Sequence, residues 1–286
     1  MKRKRLLLFL IVMCFSLLWI GPLVLTVINS FAPITKGESD TISINEIRDK
    51  DEEGFTEISF LPEAYSLEQY EEILMKTPVY LNMFWNSVII TVSVVAGSVI
   101  VSTLGAYGFT MLRFRGKELL FLVYIVVMLL PLQVTLMPNY LIAGFLGIED
   151  SYLAIILPAV FNPFGVFLLR QQMKMLPEEC MEAAKIDGAG HPQIFFYITL
   201  PMVKSGIAAL VMLLVIEYWN LIDQAIIFIK RIEQYPMSVF LARINKEASG
   251  ISYAAATFYI IPVLALLCYG HEYLKEGIGL MNVKGR

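Results

Sequence analysis

Two groups of residues in this sequence have types and spacings that could act on a solute or on a partner. Glu217, Asn220 and Gln224 follow one another at i, i+3 and i+7, so on one helix they share a face with hydrogen-bonding capacity, and Tyr218 and Trp219 add aromatic surface beside them. One reading makes Glu217, Trp219, Asn220 and Gln224 part of the lining that a polar solute slides past. The other makes them an interfacial helix end with aromatic anchors and solvated polar groups. The second group runs from Glu182-Ala183-Ala184 through Asp187-Gly188 to Ile198-Thr199-Leu200-Pro201, a pattern suited to mechanical docking rather than bond making.

Catalytic hardware is not encoded. A phosphate-cradling loop needs glycine, four residues, then Gly-Lys and Ser or Thr. The one Gly-Lys pair, Gly116-Lys117, is followed by Glu118 and has Met111 where the first glycine belongs. His191 and His271 are isolated, with no Ser/His/Asp or metal-ligand grouping around them. Cys14, Cys180 and Cys268 are scattered, which excludes a disulfide framework and reads as small packing residues. An enzyme is therefore not expected, nor a cofactor, a metal or a nucleic-acid partner.

Composition says what must position these groups. Of the residues, 57% are hydrophobic and only 16% charged, with a mean hydropathy of +0.68. Soluble domains run nearer one quarter charged. Here the apolar residues are bunched into runs that can cross a core about 30 Å thick, which takes about 20 helical residues. Six spans are expected, near 6–28, 87–112, 119–142, 152–169, 206–222 and 253–269. The first follows Lys2-Arg3-Lys4-Arg5 but is longer than a signal's apolar region and lacks a small-x-small exit, so it reads as a retained helix. Pro131, Pro158, Pro163 and Pro262 should bend the third, fourth and sixth spans. Gly97, Ser102, Gly105, Ala106 and Gly108 give the second span small surfaces for close helix contact.

Lys and Arg in short loops favour the cytoplasmic side. With the N-terminus inside, Lys2 to Arg5, Arg113, Arg115, Lys117, Arg170, Lys174, Lys185, Lys204, Lys275, Lys284 and Arg286 are cytoplasmic, 14 of the 22 cations. Both termini are then cytoplasmic in a multi-pass protein of the cell membrane, in contact with lipid. The chain divides into 1–28 (cytoplasmic start and first span), an external loop 29–86, and a core 87–286 of five spans with a cytoplasmic loop at 172–202. The external loop holds the acidic run Asp49-Lys50-Asp51-Glu52-Glu53, read as a solvated face. It also holds a short amphipathic helix capped by Ser66 with Gln69 three residues on. No midplane acid or clear internal repeat supports an ion-coupled carrier.

The segment between the fourth and fifth spans is the most informative. Pro177 suits a first helical turn, and Glu178, Glu179 and Glu182 suit the positive end of its dipole. Ala183 and Ala184 are small enough to enter a partner's cleft, Asp187-Gly188 ends the helix, and a second apolar stretch leads to Leu200-Pro201. This pattern resembles the "EAA" loop of binding-protein-dependent ABC importer permeases: Glu-Ala-Ala, three residues, Gly, then about nine residues to Ile-x-Leu-Pro. Softer similarities to the carbohydrate-importer, maltose-transporter-like branch include Leu67-Glu68-Gln69-Tyr70, Phe167-Leu168-Leu169-Arg170-Gln171, Trp219-Asn220 and the tail 277–285. The chain departs from the pattern at Cys180, usually leucine, at Ser205, often proline, and at Leu221, often an acid.

The resemblance implies an all-α membrane protein of six transmembrane helices with the type I ABC importer permease fold. It implies a permease subunit for a sugar or oligosaccharide, with ATP bound by partner subunits. Expected partners are a cytoplasmic ABC ATPase dimer, a second permease chain (a different one or a copy) and an external solute-binding protein. Glu182, Ala183, Ala184, Asp187, Gly188, Ile198, Leu200 and Pro201 would couple the chain to the ATPase. The alternative from another class is a secondary transporter or channel that works without ATP.

Overall fold

A computed structural model describes residues 2–34, 62, 64–243 and 249–282, and no strand occurs among them. The acidic run at 49–53 lies outside the described residues. Three helices dominate: α1 (Lys2–Asn29), α3 (Pro78–Met111) and α14 (Ser249–Asn282). Between them lie α2 (Glu68–Glu71), α4 (Lys117–Met128), α5 (Leu132–Leu146), α6 (Leu153–Val160), α7 (Pro163–Met173), α8 (Glu178–Ile186), α9 (His191–Ile194), α10 (Leu200–Met202), α11 (Lys204–Trp219), α12 (Asp223–Phe228) and α13 (Met237–Ala242). Four helical stretches are long and apolar enough to cross a membrane, and six spans result if each of two bent pairs is one span.

The spans depart from the expected ones in three places. The second starts earlier, at Pro78. The third is two helices, α4 and α5, at 103° to each other, because Pro131 has no N–H to continue α4 and takes an extended conformation (ψ 145°). The fifth stops at Trp219 rather than 222. Cys14, Cys180 and Cys268 are exposed and do not fill core gaps, contrary to their reading as packing residues.

The chain falls into two compact units, Met1–Trp85 with Ile232–Ile261, and Asn86–Arg231 with Pro262–Arg286. In the first, the end of α1 is tied down by α2. Gln69 is 1% exposed; its Nε2 donates to the carbonyls of Asn29 (3.0 Å) and Ala32 (2.8 Å), and its Oε1 accepts from the Ala254 N–H (3.3 Å). These carbonyls lie at and just beyond the end of α1, where the helical ladder stops supplying donors. The Tyr70 and Ser30 hydroxyls lie 2.7 Å apart, and the Ser66 N–H donates to the Phe31 carbonyl. The cap position of α2 is Leu67, not Ser66 as expected; Ser66 Oγ accepts the Glu68 N–H from one residue earlier, and Gln69 does not reach back to complete a capping box. Its amide is committed to α1 instead. Tyr80 packs on Phe240 and Phe84 on Phe258, fixing the start of α3 beside α13 and α14.

In the second unit α3 packs closely on α6 and α7 through small residues. A Cβ on Gly97 would lie 2.5 Å from Val160 Cγ2, one on Gly105 3.2 Å from Val166 Cγ2, and one on Gly165 would run into Ser102 Oγ. Gly97, Ser102, Gly105 and the fully buried Ala106 thus serve helix contact as expected, whereas Gly108 faces open space. Asn162 and Pro163 do more than bend the fourth span. Asn162 Oδ1 accepts from the Phe164 N–H and Pro163 occupies the first turn, so α7 begins as a freshly capped helix. Pro163 cannot donate to the Ala159 carbonyl, and Ser98 Oγ does so instead at 3.0 Å.

At the far end of α7, Arg170 joins three helices. Its Nε donates to the Phe109 carbonyl at the end of α3, and its Nη2 to both Glu118 oxygens (3.0 Å each) at the start of α4. The guanidinium also lies 3.6 Å from the centre of the Phe121 ring. Arg170 is 2% exposed while the Glu118 side chain is 75% exposed, so the pair keeps one foot in water.

Replacing Gln69 with leucine keeps the volume and removes three hydrogen bonds to the backbone around the end of α1 and the start of α14. We expect Gln69→Leu to destabilise the solubilised protein by about 3 kcal/mol, at roughly 1 kcal/mol per lost partner, read as a lower thermal unfolding midpoint. An unchanged midpoint would mean that Gln69 is not what ties down the end of α1.

Candidate functional site

The segment between α7 and α11 is built around one left-handed residue. Helix α8 starts after Pro177, in an extended conformation that suits entry to a first turn, with Glu178 and Glu179 at its positive end. Met181 and Ala184 point inward and are buried; Glu179, Glu182, Ala183 and Ile186 form the exposed face. The helix ends on Gly188, at φ +82°. The Gly188 N–H donates to the Lys185 carbonyl (3.1 Å) and the Ala189 N–H to the Ala184 carbonyl (2.9 Å), a complete Schellman cap. Only glycine takes this conformation without a Cβ penalty, which is the physical reason for glycine here.

A second short helix follows at once. Gln193 Oε1 accepts the Gly190 N–H (2.8 Å) and closes the first turn of α9. Ile194 and Phe195 are buried, and Phe195 packs edge-on against Tyr107 of α3 with ring centres 5.1 Å apart. The Tyr107 hydroxyl donates to the His191 carbonyl (3.2 Å) and lies 3.1 Å from His191 Nδ1. The segment is thereby fastened to α3 through one side chain. Between Phe195 and Thr199 the helix widens to i→i+5 bonding. It then passes through α10, carrying Leu200 and Pro201, and turns by 72° at Val203 into α11. That bend forms with a serine, Ser205, rather than a proline at the start of α11.

The expected coupling residues therefore fall on two stretches of this one segment. Glu182, Ala183, Asp187 and Gly188 are exposed on or just after α8, and Ala184 faces inward beneath them. Ile198 and Leu200 are half-buried and Pro201 is exposed at the re-entry to α11. The sequence reading missed Ile186, which is 86% exposed, and Tyr197, 80% exposed. The signal for Ile186 was legible: it is at i+3 from Ala183, away from the buried Met181 and Ala184.

The expected solute-path residues are not gathered on one helix face. Helix α11 ends at Trp219, so Gln224 belongs to α12 and does not continue the face of Glu217 and Asn220. Trp219 is buried; Glu217 and Asn220 are exposed, and Asn220 Nδ2 is spent on the Ile216 carbonyl (2.9 Å). At the other end of the Leu153–Met173 span, an unforeseen clip forms. Asp150, at φ +54°, accepts from the N–H groups of Lys230 (2.7 Å) and Arg231 (3.2 Å) and from Arg231 Nε (3.0 Å). The Lys230 N–H, then those of Arg231, hold the Asp150 carboxyl below the usual carboxylate range. Its contribution is present at neutral pH and lost only as pH falls through that lowered value. Among the described residues no cluster of His, Cys, Asp or Glu could hold a metal.

An exposed, rigidly capped helix between two spans offers a surface to a partner, and comparison with known proteins gives the family. Residues 98–276 match the family described as the binding-protein-dependent transport system inner membrane component. The chain belongs to that family. It is 28% identical over 229 residues to an arabinooligosaccharide transport permease, AraQ, of Halalkalibacterium halodurans, covering 79% of this chain and 82% of that one. It is 30% identical over 243 residues to a polygalacturonan/rhamnogalacturonan transport permease, YtcP, of Bacillus subtilis, covering 79% and 84%. The fold matches a solved bacterial ABC transporter involved in importing the acidic polysaccharide alginate, with a TM-score of 0.79, 21% identity and coverage of 95% and 96%. The chain is thus an inner-membrane, multi-pass permease subunit with the ABC importer permease fold and is not an enzyme. The ATP-independent carrier, the rival reading from composition, gives way to this membership.

Substitutions at two positions probe the segment. Gly188→Ala adds one methyl with no atom within 4 Å, so any cost is backbone strain, about 1–2 kcal/mol. Gly188→Asn should cost less, because asparagine tolerates the left-handed region. Thermal unfolding should rank Gly, Asn, Ala in falling stability, and equal effects of Asn and Ala would contradict the strain argument. Tyr107→Phe keeps the ring against Phe195 and deletes both contacts to His191. Amide exchange across 190–195 should quicken several-fold while α3 stays protected; unchanged exchange would mean that ring packing alone holds α9.

Proposed function

We propose that this permease is one transmembrane half of an ATP-driven importer for sugar oligomers, worked from the cytosol through α8. In this reading both termini and the segment 172–202 are cytoplasmic, a dimer of ATPase subunits receives the exposed face of α8, and a second permease chain completes the pathway. An external binding protein delivers the solute. ATP and its hydrolysis belong to the ATPase subunits.

The observation that carries the reading is the outward face of Glu182, Ala183 and Ile186 on a helix locked by the Gly188 cap. Ile186 adds to this face apolar surface that a partner's cleft would cover. Closure of a partner around α8 would move a rigid piece joined to α3 by Tyr107 and to α11 through the 72° bend. ATP could shift the equilibrium between two arrangements only through different affinity for each. Support for a sugar oligomer comes from the relatives, which are named for arabinooligosaccharides and for pectic polymers.

The exposed thiol of Cys180 on α8 gives a direct test. In a Cys14→Ser, Cys268→Ser background, a membrane-impermeant maleimide should label Cys180 in inside-out vesicles and not in intact spheroplasts. Gly188→Val should leave insertion normal but lower oligosaccharide uptake per ATP hydrolysed by about tenfold or more, on the scale of a 1.4 kcal/mol loss of coupling. Labelling from outside, or normal uptake by the variant, would overturn the assignment.

A further inference from the structure

Five cations and one carboxylate surround the turn from α3 to α4, and only part of that charge is used within the chain. Gly116, at φ +81°, folds the chain back so tightly that the Lys117 ammonium donates to the carbonyls of Thr110 (2.9 Å) and Leu112 (3.0 Å), closing the end of α3. Arg170 is buried against Phe109, Phe121 and Glu118. Both cations are fixed. Around them Arg113, Arg115 and Lys174 are exposed and have no hydrogen bond or ion pair from their side chains among the described residues. Lys117 is within electrostatic reach of Arg113, Arg170 and Lys174, so residues far apart in sequence share one field. Glu118 is the one acid in this group and is already paired.

We infer that Arg113, Arg115 and Lys174 seat the phosphate of an anionic phospholipid headgroup against the fixed cations Lys117 and Arg170. Mutual repulsion among the three free cations is relieved by an anion, and the neighbouring surface says which kind. Leu112 and Phe114 are exposed within the turn, and Leu119, Leu120, Leu122 and Val123 are exposed on the first two turns of α4. A headgroup seated on the cations can lay its acyl chains on that face, whereas a soluble anion would use none of it. A general excess of cations on one side needs only scattered Lys and Arg. Here Arg113 and Lys174, from segments far apart in sequence, both act on Lys117, whose ammonium is held by the carbonyls of Thr110 and Leu112. The inference rests on the proposed orientation, which puts this turn at the inner leaflet; the Cys180 labelling tests that separately.

The test uses the assembled importer in detergent, incubated with equimolar palmitoyl-oleoyl phosphatidylglycerol and phosphatidylcholine and read by native mass spectrometry. The wild-type complex should retain phosphatidylglycerol in preference. In R113Q/R115Q/K174Q that preference should fall by about fivefold or more, and excess inorganic phosphate should not displace the lipid from wild type. The charge-conserving R113K/R115K/K174R should keep it, and the single variants R113Q, R115Q and K174Q supply the graded loss should the triple neutral variant fail to fold. The proposal is overturned if the neutral variants retain phosphatidylglycerol as wild type does. It is also overturned if free phosphate releases the lipid, which would mark a soluble-anion site. Loss of the ATPase subunits with lipid retention unchanged would mark a protein-docking face instead and equally end the lipid reading.

Discussion

Backbone polar groups inside a membrane domain have no water to fall back on, and most of the particular contacts in this chain exist to supply them with partners. Each break in a helix frees carbonyls or N–H groups. The Gln69 amide takes up the carbonyls at the end of α1. The Ser98 hydroxyl serves the Ala159 carbonyl that Pro163 cannot reach, and the Asn162 side chain receives the Phe164 N–H of the new helix. Lys117 closes the end of α3, and Arg170 adds a donor to the Phe109 carbonyl one turn earlier. The chain tolerates the break at Asn162 because neighbouring groups complete the hydrogen bonding there.

These repairs also decide which parts move as one. Helices α3, α4 and α7 are joined at Arg170, and α9 is joined to α3 at Tyr107. The short helix α8 is thus enclosed between two fastened points, and its own end is fixed by the Gly188 cap. Under the proposed coupling, a push on α8 would be delivered to several helices together instead of being lost in a loop. The widened turn at Phe195–Thr199 and the 72° bend at Val203 are the places where α9 and α11 meet at an angle.

How much of this the sequence disclosed depended on whether the cause was local. The Schellman glycine, the first turn after Pro177 and the breaks near Pro131 and Pro163 follow from backbone rules that act over a few residues, and all are visible in the string of letters. The small face of α3 was legible for the same reason, except at Gly108, which lacks a neighbour. What stayed hidden depends on residues distant in sequence. Nothing local tells that Gln69 will leave its own helix cap for α1, that Asp150 will hold Lys230 and Arg231, or that Arg170 will meet Glu118. The polar face of Glu217, Asn220 and Gln224 failed because its periodicity assumed a helix that ends at Trp219.

Ile186, Phe196 and Tyr197 are large apolar side chains left bare on the segment between α7 and α11. In a newly made subunit that has not met its companions they form a sticky aqueous tab, open to chaperones, proteases and other orphan copies. Surplus permease would therefore be self-limiting. Cells that make this chain faster than the proteins that shield the tab should lose the excess to aggregation or degradation, so balanced synthesis of the subunits is a condition of a clean membrane.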